Sequence, residues 1–324
     1  TTLTTPAPGK YGCNIGSVAS AKFGRWYPSH YSFAGTLTPG CAAGLFTYMG
    51  QDALGVDLTV RAHASTGLPA AVTDPVVSRY NYAVPGGYPS LAGVTFAGDN
   101  GGSTVAASRL TSPAFPSMPI TNLWSAGQLR VNDTYAFSKL TTPDGPYDVY
   151  KMLASVADPD NASPTLVGAG TNKTGIRFGR LRLISGQGSD VAPFIMKTEA
   201  QYWDGAYWRT NILDSCTSYV KENVVCTGPV STSVSSTMGI NKGYGSITLA
   251  KPDPAGAGIE RICLDMASTA NGCSGATSAA SLDYLLGNWG APTYDRDPFG
   301  NIEFGRANSN TRGNWGFIYR RENF

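Results

Sequence analysis

The chain has 324 residues and a formal net charge of +2, and only 14% of its residues are charged, against about 25% in an ordinary soluble protein. So low a charge density argues against a helical bundle or coiled coil, and the balanced sign argues against nucleic-acid binding, which concentrates basic residues on one face. No apolar run approaches the about 18 residues of a membrane-spanning helix, so no transmembrane segment is expected, while 39 Gly, 21 Pro and 17 Tyr point to a turn-rich, β-rich protein.

Residues 1–20 are rich in Thr, Pro, Gly and Ser and read as an extended N-terminal arm. They lack the basic start and apolar centre of a secretory leader. From residue 21 on, short β-type runs are cut by turn residues, and the expected class is all-β, with antiparallel β-sandwich domains, long loops and disulfide staples. A first sandwich is expected over 21–154 and a second over 175–324. Between them, 155–174 is rich in Asp, Pro, Asn, Gly and Ser and reads as a linker or as a long loop inside one domain. Val56 to Ala62 alternates cleanly. So does Phe178 to Leu183, with Arg180 and Arg182 on one face and Leu181 and Leu183 on the other. Ser246–Leu249 and Gly316–Arg320 read as further strands. Apolar residues at 279, 282, 285, 286 and 289 allow at most one short helix. The tripeptide Phe-Gly-Arg recurs at 23–25, 178–180 and 304–306, as a repeated strand-entry device would.

One hairpin is legible in detail. Asp204-Gly205 sits between two aromatic runs, the signature of a two-residue type I′ turn. That turn pairs Trp203 with Ala206, Tyr202 with Tyr207 and Gln201 with Trp208. Trp203, Trp208, Gln201 and Glu199 then share one face, and Tyr202, Tyr207, Ala200 and Arg209 the other. Paired aromatics stabilise sheets, so these faces read as core and a second packed layer. Left open, the tryptophan face reads instead as a platform for a sugar or a partner protein.

An even six cysteines in such a chain point to disulfides and an oxidising compartment. Cys216 and Cys226 have the same short separation as Cys263 and Cys273, which favours the pairs Cys216–Cys226 and Cys263–Cys273, with Cys13–Cys41 as the remainder. Fifteen connectivities are open to six cysteines. Zinc is the weaker reading, since there is no Cys-x-x-Cys and neither His30 nor His63 lies near a cysteine.

Catalytic signatures are mostly absent: no Gly-x-Ser-x-Gly elbow, no His-Glu-x-x-His, no phosphate-binding glycine loop. His30, in an aromatic stretch, and His63, after an alternating strand, read as structural. Glycoside hydrolysis needs two acids across a cleft at no fixed spacing, and among Glu199, Glu222, Glu260, Glu303 and Glu322 no pair stands out. The acidic turns Asp158–Asn161 and Asp295–Gly300 offer Asp158, Asp160, Asp295 and Asp297 as candidate calcium ligands, although Asx-turn chemistry explains both turns. No other cofactor is expected.

Several blocks carry a resemblance. They are Phe23–Tyr31, Phe46–Gln51, Pro143–Asp148, Arg177–Leu183, Ala200–Gly205, Asp214–Thr217, Tyr284–Trp289, Asp297-Pro298, Phe304–Arg306 and Ile318–Phe324. In this order they resemble the large C-terminal region, of unassigned function, of the MSHA (mannose-sensitive haemagglutinin) pilus biogenesis protein MshQ family. Ser29 stands where that family often has Asp, and the lectin-like jelly-roll domain that members often carry upstream is not in this sequence. The resemblance implies a secreted or surface protein tied to type IV pili, a tip component or adhesin, and supplies no catalytic residues.

The leading expectation is therefore an extracellular, non-enzymatic, pilus-associated protein, adhesin-like or filament-forming, exported through the periplasm. Its expected partners are pilins or minor pilins, copies of itself through strand addition by the 1–20 arm or the 315–324 strand, and surface glycans. The alternative is a carbohydrate-binding module or glycan-active enzyme using Trp203, Trp208, Gln201, Tyr202 and Tyr207. An outer-membrane barrel fits less well, because Glu322 and Arg320 share the face of the terminal Phe324.

Overall fold

The computed structural model describes residues 27–65, 69–81, 91–168, 170–267, 272–273, 276 and 278–305. The 1–20 arm, Cys13 and the expected strand at 315–324 lie outside these residues.

The first unit contains β1 (His30–Thr38), β2 (Phe46–Tyr48), β3 (Asp52–His63), β4 (Gly93–Asn100), β5 (Ser103–Val105), β6 (Leu110–Ser112), β7 (Trp124–Ser125), β8 (Gln128–Phe137), β9 (Tyr147–Ala157), β10 (Leu166–Val167) and β11 (Thr174–Arg177). They form two sheets, ordered β10-β1-β3-β8-β6 (β7 also on β8) and β2-β11-β9-β4-β5. β3 shows how the pattern sets the fold. Leu54, Val56, Leu58 and Val60 are buried while the residues on either side of each are more exposed, the period of two of a sheet with one face in the core. Phe33 and Leu129 of one sheet share a single core with Phe96, Tyr150 and Ile176 of the other.

The second unit contains β12 (Gly179–Leu183), β13 (Gly186–Gly188), β14 (Phe194–Trp203), β15 (Trp208–Thr210), β16 (Val224–Thr227), β17 (Val234–Asn241), β18 (Tyr244–Leu249), β19 (Gly258–Leu264) and β20 (Phe299–Phe304). Its sheets run β12-β14-β18-β17 (β15 also on β14) and β13-β20-β19-β16. Leu181, Met196 and Ile247 meet Ile262, Leu264 and Ile302 in a second core. The sheets of both units are antiparallel except at three outer pairs, β1–β10, β2–β11 and β13–β20, which are parallel. Among the described residues the helical content is three short 3-10 turns. One, Asp283–Leu285, falls in the stretch whose spacing allowed a short helix. The stretch extends beyond Leu285 instead: Leu286 has extended φ and ψ, and Gly287 bridges to Arg296.

The 155–174 stretch is a loop within the first sandwich. β10 lies on β1, Thr171 bonds the Met152 carbonyl, and β11 returns to pair with β9 and β2. The chain crosses to the second unit directly between β11 and β12.

The cysteines correct the expected pairing. Cys41 is bonded to Cys216, 175 residues away, and Cys226 is free; Cys263–Cys273 is bonded as expected. The expected pairs Cys13–Cys41 and Cys216–Cys226 are thereby excluded. The equal spacings misled because the partner of Cys216 is set by tertiary placement and not by local loop length. Cys226 is carried onto an edge strand, while Asp214, accepting from the Cys216 and Thr217 N–H groups, turns Cys216 toward the first sandwich. Burial pushes the Cys226 thiol up to about 11.

Candidate ligand site at the seam of the two sandwiches

The seam is built from the ends of β2, β8 and β11 against the second unit. Tyr48, fully buried, accepts a hydrogen bond from Asn211 Nδ2 (2.7 Å) and donates to Asp214 Oδ2 (3.0 Å). Burial and the Asp214 charge hold its hydroxyl protonated, far above the ordinary range. Asp214 also accepts from the Thr217 hydroxyl at 2.7 Å. Lys139, just beyond β8, sends its Nζ into a cage of three carbonyls, those of Gly179, Tyr284 and Leu286, at 2.8–2.9 Å. Burial pulls this ammonium down to about 7, against the Asp283 carboxylate, which holds it up. Arg177, at the crossing itself, lies over the Tyr202 ring (4.3 Å) and bonds Asp148.

Beside this seam the outer face of β12, β14 and β15 carries the aromatic residues of the hairpin. Trp203 packs edge-on to Trp208 (5.8 Å), and Trp208 contacts Phe178 and Tyr294. The Arg180 guanidinium lies 4.0 Å from the Trp208 ring centre and 4.6 Å from that of Trp289. It donates to Gln201 Oε1 (2.9 Å) and Asn288 Oδ1 (3.1 Å), and burial pulls it down to about 10. Gln201 in turn donates to Glu199, which also accepts from Thr210. The two tryptophans are half-buried under the loop bearing Trp289 and Tyr294, so their face is a packed layer roofed by that loop. Tyr202 is claimed by Arg177, and Tyr207 is exposed at the hairpin tip.

The hairpin register differs from the two-residue turn. Trp203 pairs with Trp208, Tyr202 with Arg209 and Gln201 with Thr210, which leaves a four-residue loop, 204–207. The Asp204 carboxylate causes this by accepting from the Ala206 and Tyr207 N–H groups, while the Asp204 N–H bonds the Tyr207 carbonyl. The shift is by two residues, so the tryptophan face and the Tyr202/Arg209 face keep their expected sides.

A groove of about 390 Å³ opens next to Tyr294, lined among others by Lys139, Tyr284, Thr293, Asp283 and Asp295. It offers two phenol rings and two carboxylates beside the caged Lys139, a mix of stacking faces and polar groups that sugar sites use. Arg180, Lys139, Trp289 and Tyr294 were not singled out as site residues by sequence reasoning. The one available signal was the Arg180 of the repeated Phe-Gly-Arg; nothing in their spacing brings Lys139 to Tyr294.

The other candidates have structural partners. Asp158 accepts from Tyr31 (2.7 Å) and from the Asp160 N–H (2.9 Å). Asp295 accepts from Thr293 and faces Arg296, whereas Asp297 is buried and accepts from the Met266 and Cys273 N–H groups. Asp297 also lies near the sulfurs of Cys263 and Cys273, but those are joined to each other and are not thiolate donors. His63 Nδ1 donates to the Asp74 carbonyl (2.6 Å), which leaves Nε2 to accept from Ser32 (2.7 Å). His30 stacks on it at 4.9 Å and donates to the Ala71 carbonyl. Both rings are buried. Glu260 is buried and accepts from the Val230 N–H, and Glu303 accepts from Gln187.

Two β-sandwiches, joined through Cys41–Cys216 and a polar seam, define the class. Family models cover nearly the whole chain: the third domain of DUF6701 matches residues 3–176 and the fourth domain matches 177–323. The chain belongs to the DUF6701 family. The boundary between the two matches falls at Arg177, where β11 hands over to the second unit. No curated protein matches the chain.

Proposed function

We propose that this protein is an extracellular, non-enzymatic surface protein associated with type IV pili, of the MSHA type, acting as an adhesin-like or filament-forming component. The observation that carries the extracellular, structural part of this reading is the Cys41–Cys216 disulfide. It clamps the two sandwiches together across the seam, a device that persists in oxidising compartments outside the cytoplasm. Such a clamp suits a part that must transmit load between its ends. The buried acids Asp214 and Asp297 and the buried His63 are each committed to holding loops and strands, which also favours a structural role over catalysis. The pilus assignment rests on the sequence resemblance. A pull-down of the native protein from pilus-bearing cells tests it: pilins or minor pilins in the eluate support it, and recovery of the protein free of them contradicts it.

A second reading is favoured by the groove beside Tyr294: carbohydrate binding at the seam. Glycan-array binding that is lost in Tyr294→Ala supports it. Binding that survives both Tyr294→Ala and the double change Trp203→Ala, Trp208→Ala contradicts it.

A further inference from the structure

We propose that the β14–β15 hairpin closes itself with a covalent bond: an ester between the Thr210 hydroxyl and the side-chain carbonyl of Gln201, formed by the chain's own Glu199 and Arg180 with release of ammonia. This self-modification goes beyond the proposed function and does not depend on the pilus reading.

Four side chains meet here, each carrying a group the reaction needs. Gln201 and Thr210 are directly opposite on β14 and β15, so their Cβ atoms lie on one face, about 4.5–5.5 Å apart. The Thr210 hydroxyl donates to Glu199 Oε1, and the Tyr244 hydroxyl stands 3.5 Å from it. The other carboxylate oxygen, Glu199 Oε2, accepts from Gln201 Nε2 at 3.0 Å. On the far side of the amide, Arg180 Nε donates to Gln201 Oε1 at 2.9 Å. A guanidinium only donates and a carboxylate only accepts, so these two partners fix which end of the amide is oxygen. One carboxylate therefore holds the nucleophile and the leaving nitrogen side by side. One cation sits on the oxygen that becomes negative. Arg180 is itself held between the rings of Trp208 and Trp289, and Gln201 is buried.

The chemistry is an acyl transfer within the chain. Glu199 takes the Thr210 proton as Oγ1 attacks Cδ of Gln201. The amide oxygen of the tetrahedral carbon becomes negative, and the Arg180 N–H and charge stabilise it. Glu199 returns the proton to Nε2, the C–N bond breaks, and the carbonyl re-forms as an ester. An amide and a hydroxyl enter; an ester and ammonia leave, with no change of oxidation state. Ammonia takes a proton from water at neutral pH and diffuses away, so the step does not reverse. The burial of Gln201 keeps water from the ester carbon.

Position gives the bond its use. Gln201–Thr210 is the pair at the open end of the hairpin, away from the 204–207 loop. From Thr210 the chain runs through Asp214 to Cys216, the anchor of the clamp to Cys41. Load crossing that clamp pulls on Thr210 and peels β15 from β14, and the ester lies where peeling starts.

The test weighs the full chain, reduced and denatured, by intact-mass spectrometry and then maps it with trypsin. The expected wild-type mass is one ammonia below that of the sequence. Trypsin should give Thr198–Arg209 joined to Thr210–Lys221, a pair that hydroxylamine separates. Thr210→Ala and Glu199→Gln should each show the full mass and no joined pair, with the Cys41–Cys216 disulfide and a native circular dichroism spectrum as evidence of folding. Thr210→Ser should keep the joined pair. Three results overturn the inference: wild type of full mass with Gln201 and Thr210 on separate unmodified peptides, an ammonia deficit mapped elsewhere, or a link that loses water and joins Thr210 to Glu199. A joined pair undiminished in Glu199→Gln overturns it as well.

Discussion

Tyr48, from the first sandwich, donates its hydroxyl to the Asp214 carboxylate of the second at 3.0 Å, and both side chains are fully buried. The bond sits beside the Cys41–Cys216 disulfide, so a covalent and a polar link reinforce the same seam. Tyr48→Phe keeps the ring and removes the oxygen. It strips one donor from Asp214 and leaves the Asn211 amide without its acceptor. A loss of about 1–3 kcal/mol is expected, read as a lowered midpoint in denaturant unfolding.

Removing the disulfide should act on cooperativity as well as stability. Cys41→Ser with Cys216→Ser opens a closed loop of 175 residues, and the expected cost is about 2–5 kcal/mol. Each sandwich has its own core, so calorimetry of the double variant should show two transitions where the wild type shows one. One unchanged transition would mean that the polar seam alone couples the units.

Gly179 tests how close the two units lie. A Cβ added there would stand 2.3 Å from the Tyr48 ring and 2.7 Å from Leu285. Gly179→Ala should cost about 1–3 kcal/mol through overpacking, and the same change should cost less when made in a Tyr48→Leu background, read as a double-mutant coupling in thermal unfolding.

The hairpin loop should loosen in acid. Arg209 and the Tyr207 and Ala206 N–H groups hold the Asp204 carboxyl down to about 2 in the folded chain. Its unfolded value is the ordinary carboxylate one, near 4. A depressed folded value means that the stabilisation is complete above about pH 4 and is lost as pH falls toward 2. Amide exchange at Tyr207 should therefore quicken over that interval, and Asp204→Asn, which keeps an acceptor oxygen but does not titrate, should abolish the pH dependence.

Period-two alternation made the strands legible, from Val56–Ala62 in β3 to Leu181 and Leu183 in β12, because a half-buried sheet writes its faces into the sequence. The tryptophan face of the hairpin was legible for the same reason, and survived a wrong register because the slip was by two residues. The register itself was not, since the Asp204 side chain competes with the tight turn for the same N–H groups. The seam was not legible either. Cys41 and Cys216, or Lys139 and the carbonyl of Tyr284, are joined by tertiary placement over 175 and 145 residues. No local spacing encodes that.

The most direct test of the account is a pull-down of the native, thiol-blocked protein from pilus-bearing cells, with peptide mapping of the same sample. The account predicts that pilins or minor pilins co-purify with a protein in which Cys41 is bonded to Cys216. Protein recovered from the cytoplasm without pilins, with Cys41 and Cys216 both as free thiols, would contradict it.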